Sequence, residues 1–194
     1  RLAEARKQGK TVIGMMHHAI TEHFDGQSTL FPGFVINDWQ NVSQTLAREG
    51  LRFVFTGHFH ATDATNRSWA DPDALIHDIE TGSLTTAPCP WRHVHIAGGV
   101  MRVSTSQVTQ VPGFADGSQT FPEYARNIGH TGLTNMYTLT YMAPPYNLTR
   151  AEAEEVASQL ADALLGHYAG DEKPDEATLQ MIQEYLDSPD PEDN

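Results

Sequence analysis

The stretch "VFTGHFHATD" sets His58 and His60 two residues apart, just after an apolar run and Gly57, with Asp63 three residues on. Histidine is the commonest metal ligand among side chains and a common general acid or base, so the pair alone fits several chemistries. It also fits a polar loop whose rings bond to backbone. A glycine ahead of the pair lets both rings turn toward one point, and neutral imidazole suits Zn, Mn, Fe or Ni. "GMMHH" ends a second apolar run in the same way, delivering His17 and His18. Directions alternate along a strand, so only one of these two is expected to face the GHFH pair. His17 follows the apolar run directly and is the expected ligand. His18 then takes an outer position, where it can contact a substrate oxygen. Three histidines without a carboxylate make an incomplete site, although three imidazoles and a water do form a recognised zinc site.

The elements that must position these residues are legible in outline. Leu2 to Gln8 has helix-forming composition and stops at Gly9. "TVIGMM" is a strand-length apolar run. Asp38 stands where an N-cap belongs for a helix through about Arg48, ended by Gly50. "LRFVF" is a second buried strand. The order is helix, strand, loop with His, helix, strand, loop with His, which suits an α/β layer architecture. Such folds put ligands just beyond the carboxyl ends of strands. From Ala74 the texture turns to β: "ALIHDIETGSL" is a strand, and "HVHIAGGVMRVSTSQVTQV" reads as two strands joined through Gly98 and Gly99. A mixed sheet or two-sheet sandwich is implied. Beyond Val111 the signal weakens through Gly- and Pro-containing segments and then becomes helical. Thr149 and Glu152 make a capping box for a helix ending near Gly170, and Pro174 starts another, with Leu179, Ile182 and Leu186 on one face. Both helices are read as a cap or packing element away from the histidines. The division expected is 1–110 for the layered domain and 111–194 for a linker and helical appendage.

Ten histidines occur in the 194 residues. His23 lies in the loop after His17 and His18. His77, His93 and His95 fall inside predicted strands, and His130 and His167 in the tail; these five read as structural or surface residues. The net charge of −13 disfavours non-specific attraction to nucleic acid or an anionic membrane, and neither is expected as a partner. Nine acids and one base, Lys173, lie between Asp171 and Asn194, which reads as a solubilising acidic terminus. The single cysteine, Cys89, excludes an internal disulfide framework and a cysteine zinc cluster. No apolar run is long enough to span a bilayer.

At "GMMHH", "FTGHFHATD" and "HDIETGSLTTAPCPWR", between about Thr11 and Arg102, the chain resembles the calcineurin-like metallophosphoesterase family. It looks particularly like the bacterial branch related to cyclic-nucleotide phosphodiesterases that carries a C-terminal helical domain. The resemblance implies the C-terminal half of a four-layer αββα sandwich, with a small helical appendage. It implies two divalent metal ions, Mn, Fe or Zn, with His17, His58 and His60 as ligands, His58 on one ion and His60 on the other. His18 would be the catalytic contact that orients the phosphate, and His23 and Asp63 would touch substrate or support the ligands from behind. Two metals about 3.5 to 4 Å apart can neutralise both the attacking and the leaving oxygen of a phosphate ester.

The family's D-x-H, G-D-x-x-D and G-N-H-D/E elements do not occur in these 194 residues. They carry the carboxylates, the bridging aspartate, an asparagine ligand and the usual proton-donating His. The chain is therefore expected to be the C-terminal portion of an enzyme acting on phosphomonoesters or phosphodiesters, cyclic nucleotides included. As a fragment it is expected to bind metal weakly and hydrolyse little. Its expected partners are the phosphate-ester substrate and the missing N-terminal half, supplied upstream or by another polypeptide. Loss of that half should expose a sheet edge or face and favour self-association. Members of the related branch are often exported, which the resemblance offers by analogy alone; the residues themselves assign no localisation. Two alternatives stay open: a non-catalytic metal-binding scaffold whose helical tail is a partner surface, and a mononuclear three-His zinc hydrolase.

Overall fold

A computed structural model of the chain describes residues 1–71, 74–114, 117–170 and 180. In chain order the elements are α1 (Leu2–Lys7), β1 (Ile13–Met15), α2 (Gln27–Leu30), α3 (Trp39–Arg48), β2 (Phe53–Thr56), β3 (Ala64–Ser68), β4 (Leu75–Glu80), β5 (Pro90–Ala97), β6 (Val100–Gln107), α4 (Phe121–Met142) and α5 (Arg150–Ala169). The architecture is mixed α/β. One sheet has the order β1-β2-β4-β3, and β5 pairs with β6 in a separate ribbon. β1, β2 and β4 run parallel, so their carboxyl ends emerge together; β3 lies antiparallel at the far edge.

The registers sort the two faces. Gly14 sits beside Val54, Val54 beside Asp78, and Thr56 beside Glu80, so these residues share a face with Ile76. That face is covered by α3 and the loop before it. Its centre is a cluster of Ile20, Ala47, Leu51, Val54, Ala74 and Ile76, with Leu2, Val12, Ile36, Leu46 and Trp69 around it. Ile20 and Ile76 are wholly buried, and each contributes about 1.5–3 kcal/mol by leaving water. The opposite face carries Ile13, Met15, Phe53, Phe55, His77 and Ile79. It turns toward the β5–β6 ribbon: Phe53, His77 and Ile79 line a cleft with Met101 and Val103, and Ile13 and Phe55 line another with Val94. Arg92 of β5 stitches the layers together, its Nη2 donating to the carbonyls of Glu80 at 2.6 Å and Asp63 at 3.1 Å while Nη1 donates to Thr105 Oγ1.

The C-terminal helices pack on each other, Leu165 of α5 lying against Gly129 of α4, and α5 buries Ala153, Ala157, Ala161, Leu164 and Leu165. Each opens with a complete capping box, Thr120 with Glu123 and Thr149 with Glu152, which satisfies amide groups that a helix start otherwise leaves open. α5 closes at Gly170 with a left-handed φ of 68°. There a side chain would collide with the Thr62 carbonyl, so only glycine lets α5 end against the loop that follows His60.

Several expectations change here. The 22-residue α4 occupies ground read only as a weak approach to the tail. β3 stands where no strand was expected. Asp38 does occupy the N-cap of α3, but its φ is 53° and its side chain makes no capping bond; it accepts from Asn41 Nδ2 at 2.7 Å instead. The helix expected from Pro174, with Leu179, Ile182 and Leu186, and the acidic terminus lie outside the described residues, Gln180 apart. No helix among the described residues is long and apolar enough to cross a membrane.

Candidate functional site

β1 ends at Met15 and β2 at Thr56, so parallel pairing brings the loops holding His17, His18 and His58 to one rim of the sheet. The three imidazoles gather there. Ring centroids of His17 and His58 are 4.4 Å apart, those of His18 and His58 also 4.4 Å, and those of His17 and His18 5.1 Å. His18 thus belongs to the cluster and not to an outer position. The strand has already ended two residues earlier, so the up-and-down alternation that would have separated the two rings no longer operates.

The GHFH loop holds both of its histidines in the left-handed region, His58 at φ 75° and His60 at φ 67°. For a residue with a Cβ this costs about 1–2 kcal/mol at each position. Alternating the backbone in this way sends Phe59 inward, 5% exposed, and leaves the two imidazoles nearer solvent. His60 turns to Thr86, Nδ1 to Oγ1 at 2.9 Å, and its ring lies 6.3 Å from Tyr168. It remains close enough to His17 for charge on one ring to oppose charge on the other. Burial, followed by the neighbouring imidazoles of His18, His17 and His60, pushes His58 below the ordinary histidine range; burial and His17 do the same to His60. Neutral rings with available lone pairs are the form that binds metal.

Gly82, in the "TGSL" segment, explains how this loop is held from behind. A Cβ there would stand 2.7 Å from the carbonyl oxygen of His60 and 2.7 Å from Pro90 Cγ. Gly82→Ala must therefore displace the His60 backbone. The expected cost is about 1–3 kcal/mol, as for other overpacked sites, read as a lowered denaturant midpoint together with a shifted His60 imidazole resonance. An unchanged His60 resonance would contradict the assignment.

His23 and Asp63 meet in a second, buried constellation. His23 Nδ1 is 2.8 Å from Asp63 Oδ2, and His23 Nε2 is 3.4 Å from Asp78 Oδ2. Asp78 is fully buried. Its Oδ2 accepts from the amides of Ile20 at 2.7 Å and Thr21 at 3.1 Å, and its Oδ1 from Thr56 Oγ1 at 2.5 Å. One carboxylate of β4 thus ties the loop that carries His17 and His18 to the end of the strand that delivers His58. Glu80, also fully buried, accepts from the Phe59 amide at 3.1 Å. Neither Asp78 nor Glu80 was singled out from sequence. Alternation in "IHDIE" puts both on the core face beside Ile76, and acids at core positions of a strand are a signal of function or bracing.

Burial by itself would lower the His23 pKa, but the hydrogen bond to Asp63, the Asp78 carboxylate 3.4 Å from Nε2 and the charge of Glu80 outweigh it and raise the ring to about 9. The Asp63 carboxyl is held below its usual range, chiefly by the hydrogen bond from His23. Burial pushes Glu80 up to about 7, against the pull of His23 and the Phe59 amide. Both raised values have the same consequence. The His23 contribution is complete below pH 6.5 and is lost as pH rises through about 9; the Glu80 penalty develops as pH rises from 4.5 to about 7. His58, His60 and His167 are held below the ordinary histidine range, so below pH 6.5 they add stability as pH rises and oppose the Glu80 penalty. The fall in stability is therefore expected between about pH 7 and about pH 9, where His23 loses its proton. Glu80→Gln, which keeps an acceptor for Phe59, should remove the penalty below pH 7, so that stability rises more steeply with pH there, and leave the fall above pH 7 unchanged. Thermal midpoints across the pH series check this, and a wild-type midpoint that does not fall would contradict it.

Aromatic rings join the two constellations. His58 contacts Phe34 at 4.8 Å, Phe34 contacts Phe59 at 4.8 Å, and Phe59 contacts His167 of α5 at 5.2 Å. His167, read from sequence as structural or surface, lines a cavity with His23 and Asp63. His77 stacks on Phe53 at 5.2 Å, His93 lies near Trp91 at 6.3 Å, and His130 is 3.6 Å from Asp162; these three stay away from the imidazole cluster.

Whether a metal fits can be judged on the donors present. Three imidazoles lie within mutual contact, with no carboxylate among them. Among the described residues no group of three or more His, Cys, Asp or Glu side chains is arranged to hold a metal ion as it stands. The cluster therefore offers the right donor chemistry, and its rings would have to rotate for their nitrogens to converge on one point. No protein-family model and no curated protein matches this chain.

Proposed function

We propose that this chain carries the imidazole side of a two-metal phosphoesterase centre and is the C-terminal portion of a calcineurin-like metallophosphoesterase. The observation that carries the reading is the gathering of His17, His18 and His58 at the carboxyl ends of parallel strands, next to a loop that keeps two histidines in a costly backbone conformation. Strain of this kind concentrates at functional sites, where surrounding structure maintains it. On this reading the sheet and the β5–β6 ribbon are inner layers of an αββα sandwich.

His17, His58 and His60 would hold the ions, and His18 would bear on the phosphate. Bound divalent ions would supply Lewis acidity toward the phosphoryl oxygens and a nucleophile at neutral pH. The chain's own residues do the rest: Asp78 and Thr56 fix the spacing of the two histidine loops, and Phe34 and Phe59 back the His58 ring. His23 is engaged by both Asp63 and Asp78, so on this reading the pair would support the histidine loops from behind. Among the described residues no carboxylate lies in the cluster; on this reading such ligands would come from the N-terminal half that carries the family's carboxylate motifs. Substrates would be phosphomonoesters or phosphodiesters.

The test is a cobalt(II) titration of the chain followed by visible absorption, together with a manganese-supplemented assay on a chromogenic phosphodiester. Weak saturable binding with little or no turnover is expected. Absence of any histidine-dependent cobalt spectrum would overturn the metal centre, and brisk turnover would overturn the need for outside carboxylates. β1 lies at the sheet edge with Met15 85% exposed, and Trp91, Ile96 and Val100 are exposed on the ribbon. Such surface favours association, so light scattering should show species larger than one chain; a clean monomer would count against an uncovered layer.

One observation favours a second reading. The third ring packed on His58 belongs to His18, not His60, and three imidazoles are a sufficient protein ligand set for one catalytic zinc. One metal per chain with activity would favour that mononuclear hydrolase.

A further inference from the structure

The cavity between the sheet rim and α5 is separate from the imidazole cluster, with Phe34 and Phe59 standing between them. Its volume is about 390 Å³, within the range of small-ligand sites. Three phenylalanines wall it: Phe31 and Phe59 at 5.1 Å and 65°, Phe24 and Phe31 at 6.1 Å and 83°, Phe24 and Phe59 at 6.1 Å and 49°. The three rings pack edge-to-face or tilted on one another and form the apolar wall of an open cleft. Leu164 closes one side, and Asp63, His23 and His167 are the polar lining.

The charges decide what belongs there. The His23 side chain is wholly buried, whereas the Asp63 side chain is 37% exposed, so Asp63 is the group a ligand would meet. The Asp63 and Asp78 carboxylates share the single His23 ring, and Glu80 lies behind them. Burial holds the His167 ring below its ordinary pKa, so it adds little positive charge. A carboxylate or phosphate entering the cavity would meet the Asp63 carboxylate first, because the charged His23 imidazole is wholly buried and engaged by Asp63, and Arg92 is occupied by the Asp63 and Glu80 carbonyls and Thr105. An uncharged apolar molecule would dehydrate Asp63 without replacing its water. A cation satisfies both walls, through Coulomb attraction to Asp63 and through the negative faces of the phenylalanine rings, an arrangement suited to ammonium groups.

We infer that this cavity is a binding site for a small organic cation of the alkyl- or arylammonium class, held between the three phenylalanine rings and the Asp63 carboxylate. The site does not depend on the proposed metal centre, and the experiment is arranged accordingly. The full chain, in EDTA, is titrated calorimetrically with choline and, separately, with 3,3-dimethylbutan-1-ol, which has the same shape without the charge.

Choline should bind, and the neutral alcohol should bind about tenfold or more weakly. Ala163→Trp, placed at an exposed position of α5 that borders the cavity, should fill the space and abolish choline binding while leaving the fold intact. Asp63→Asn should weaken choline by about tenfold and leave the alcohol unaffected. Equal affinity for choline and the alcohol overturns the inference, as does choline binding that survives Ala163→Trp. Failure of choline to bind wild-type chain at about 100 mM overturns it too. None of these outcomes bears on metal binding, since EDTA is present throughout.

Discussion

Replacing Asp78 with alanine should cost about 3–5 kcal/mol, the range for leaving a buried charge network without one partner. That is a large share of the stability of an ordinary domain. The cost follows from what the carboxylate holds. Asp78 is fully buried, and removing it strands the amides of Ile20 and Thr21, the Thr56 hydroxyl and one side of the His23 ring. Asp78→Asn keeps one acceptor oxygen, so the loss should be smaller; it puts an NH2 group where either two amides donate or Thr56 donates. The control is Asp162→Ala. Asp162 also makes a 2.7 Å ion pair, with Arg126, but both side chains are more than half exposed, and the cost should be about 1 kcal/mol or less. Denaturant midpoints rank the three variants, and an Asp78→Ala cost no larger than that of Asp162→Ala would refute the bracing role.

How far these features could be read from the amino acids depends on whether local or tertiary forces set them. The runs around Ile13, Val54 and Ile76 and the Gly98-Gly99 turn were legible because apolar length and turn chemistry are local properties. Thr149 and Glu152 were legible as a capping box for the same reason. The Thr120 and Glu123 box, with Pro122 beside it, carried an equal signal for α4. It was obscured because α4 has no clean apolar stripe: Ile128, Met136 and Leu139 are exposed. β3, "ATNRS", has little strand character of its own, and its pairing with β4 is imposed by the neighbouring strand. The histidine cluster was partly legible. GHFH announced itself, but the membership of His18 depends on where β1 ends, and the partnership of His23, Asp63 and Asp78 on residues distant in sequence. The acids of "IHDIE" could have been found by asking why a core-facing strand position is charged.

That dependence on backbone geometry gives the second large effect. His58→Gly should weaken cobalt(II) binding by about 100-fold or more, yet change the thermal midpoint little. The two results separate because His58 sits at φ 75°, a conformation glycine adopts freely. Relief of about 1–2 kcal/mol of backbone strain offsets the lost ring contacts with Phe34, His17 and His18 and the greater chain entropy of glycine. Pairing this variant with two others distinguishes one metal from two. If the centre is binuclear, His60→Gly should reduce the metal bound per chain, and His18→Ala should leave it nearly intact. If His17, His18 and His58 form a mononuclear site, the outcome reverses: His18→Ala removes the metal, whereas His60→Gly breaks only the bond to Thr86 and the contact with Tyr168. Cobalt absorption that is unaltered in all three variants would remove both assignments, leaving the imidazole cluster as packing at the sheet rim.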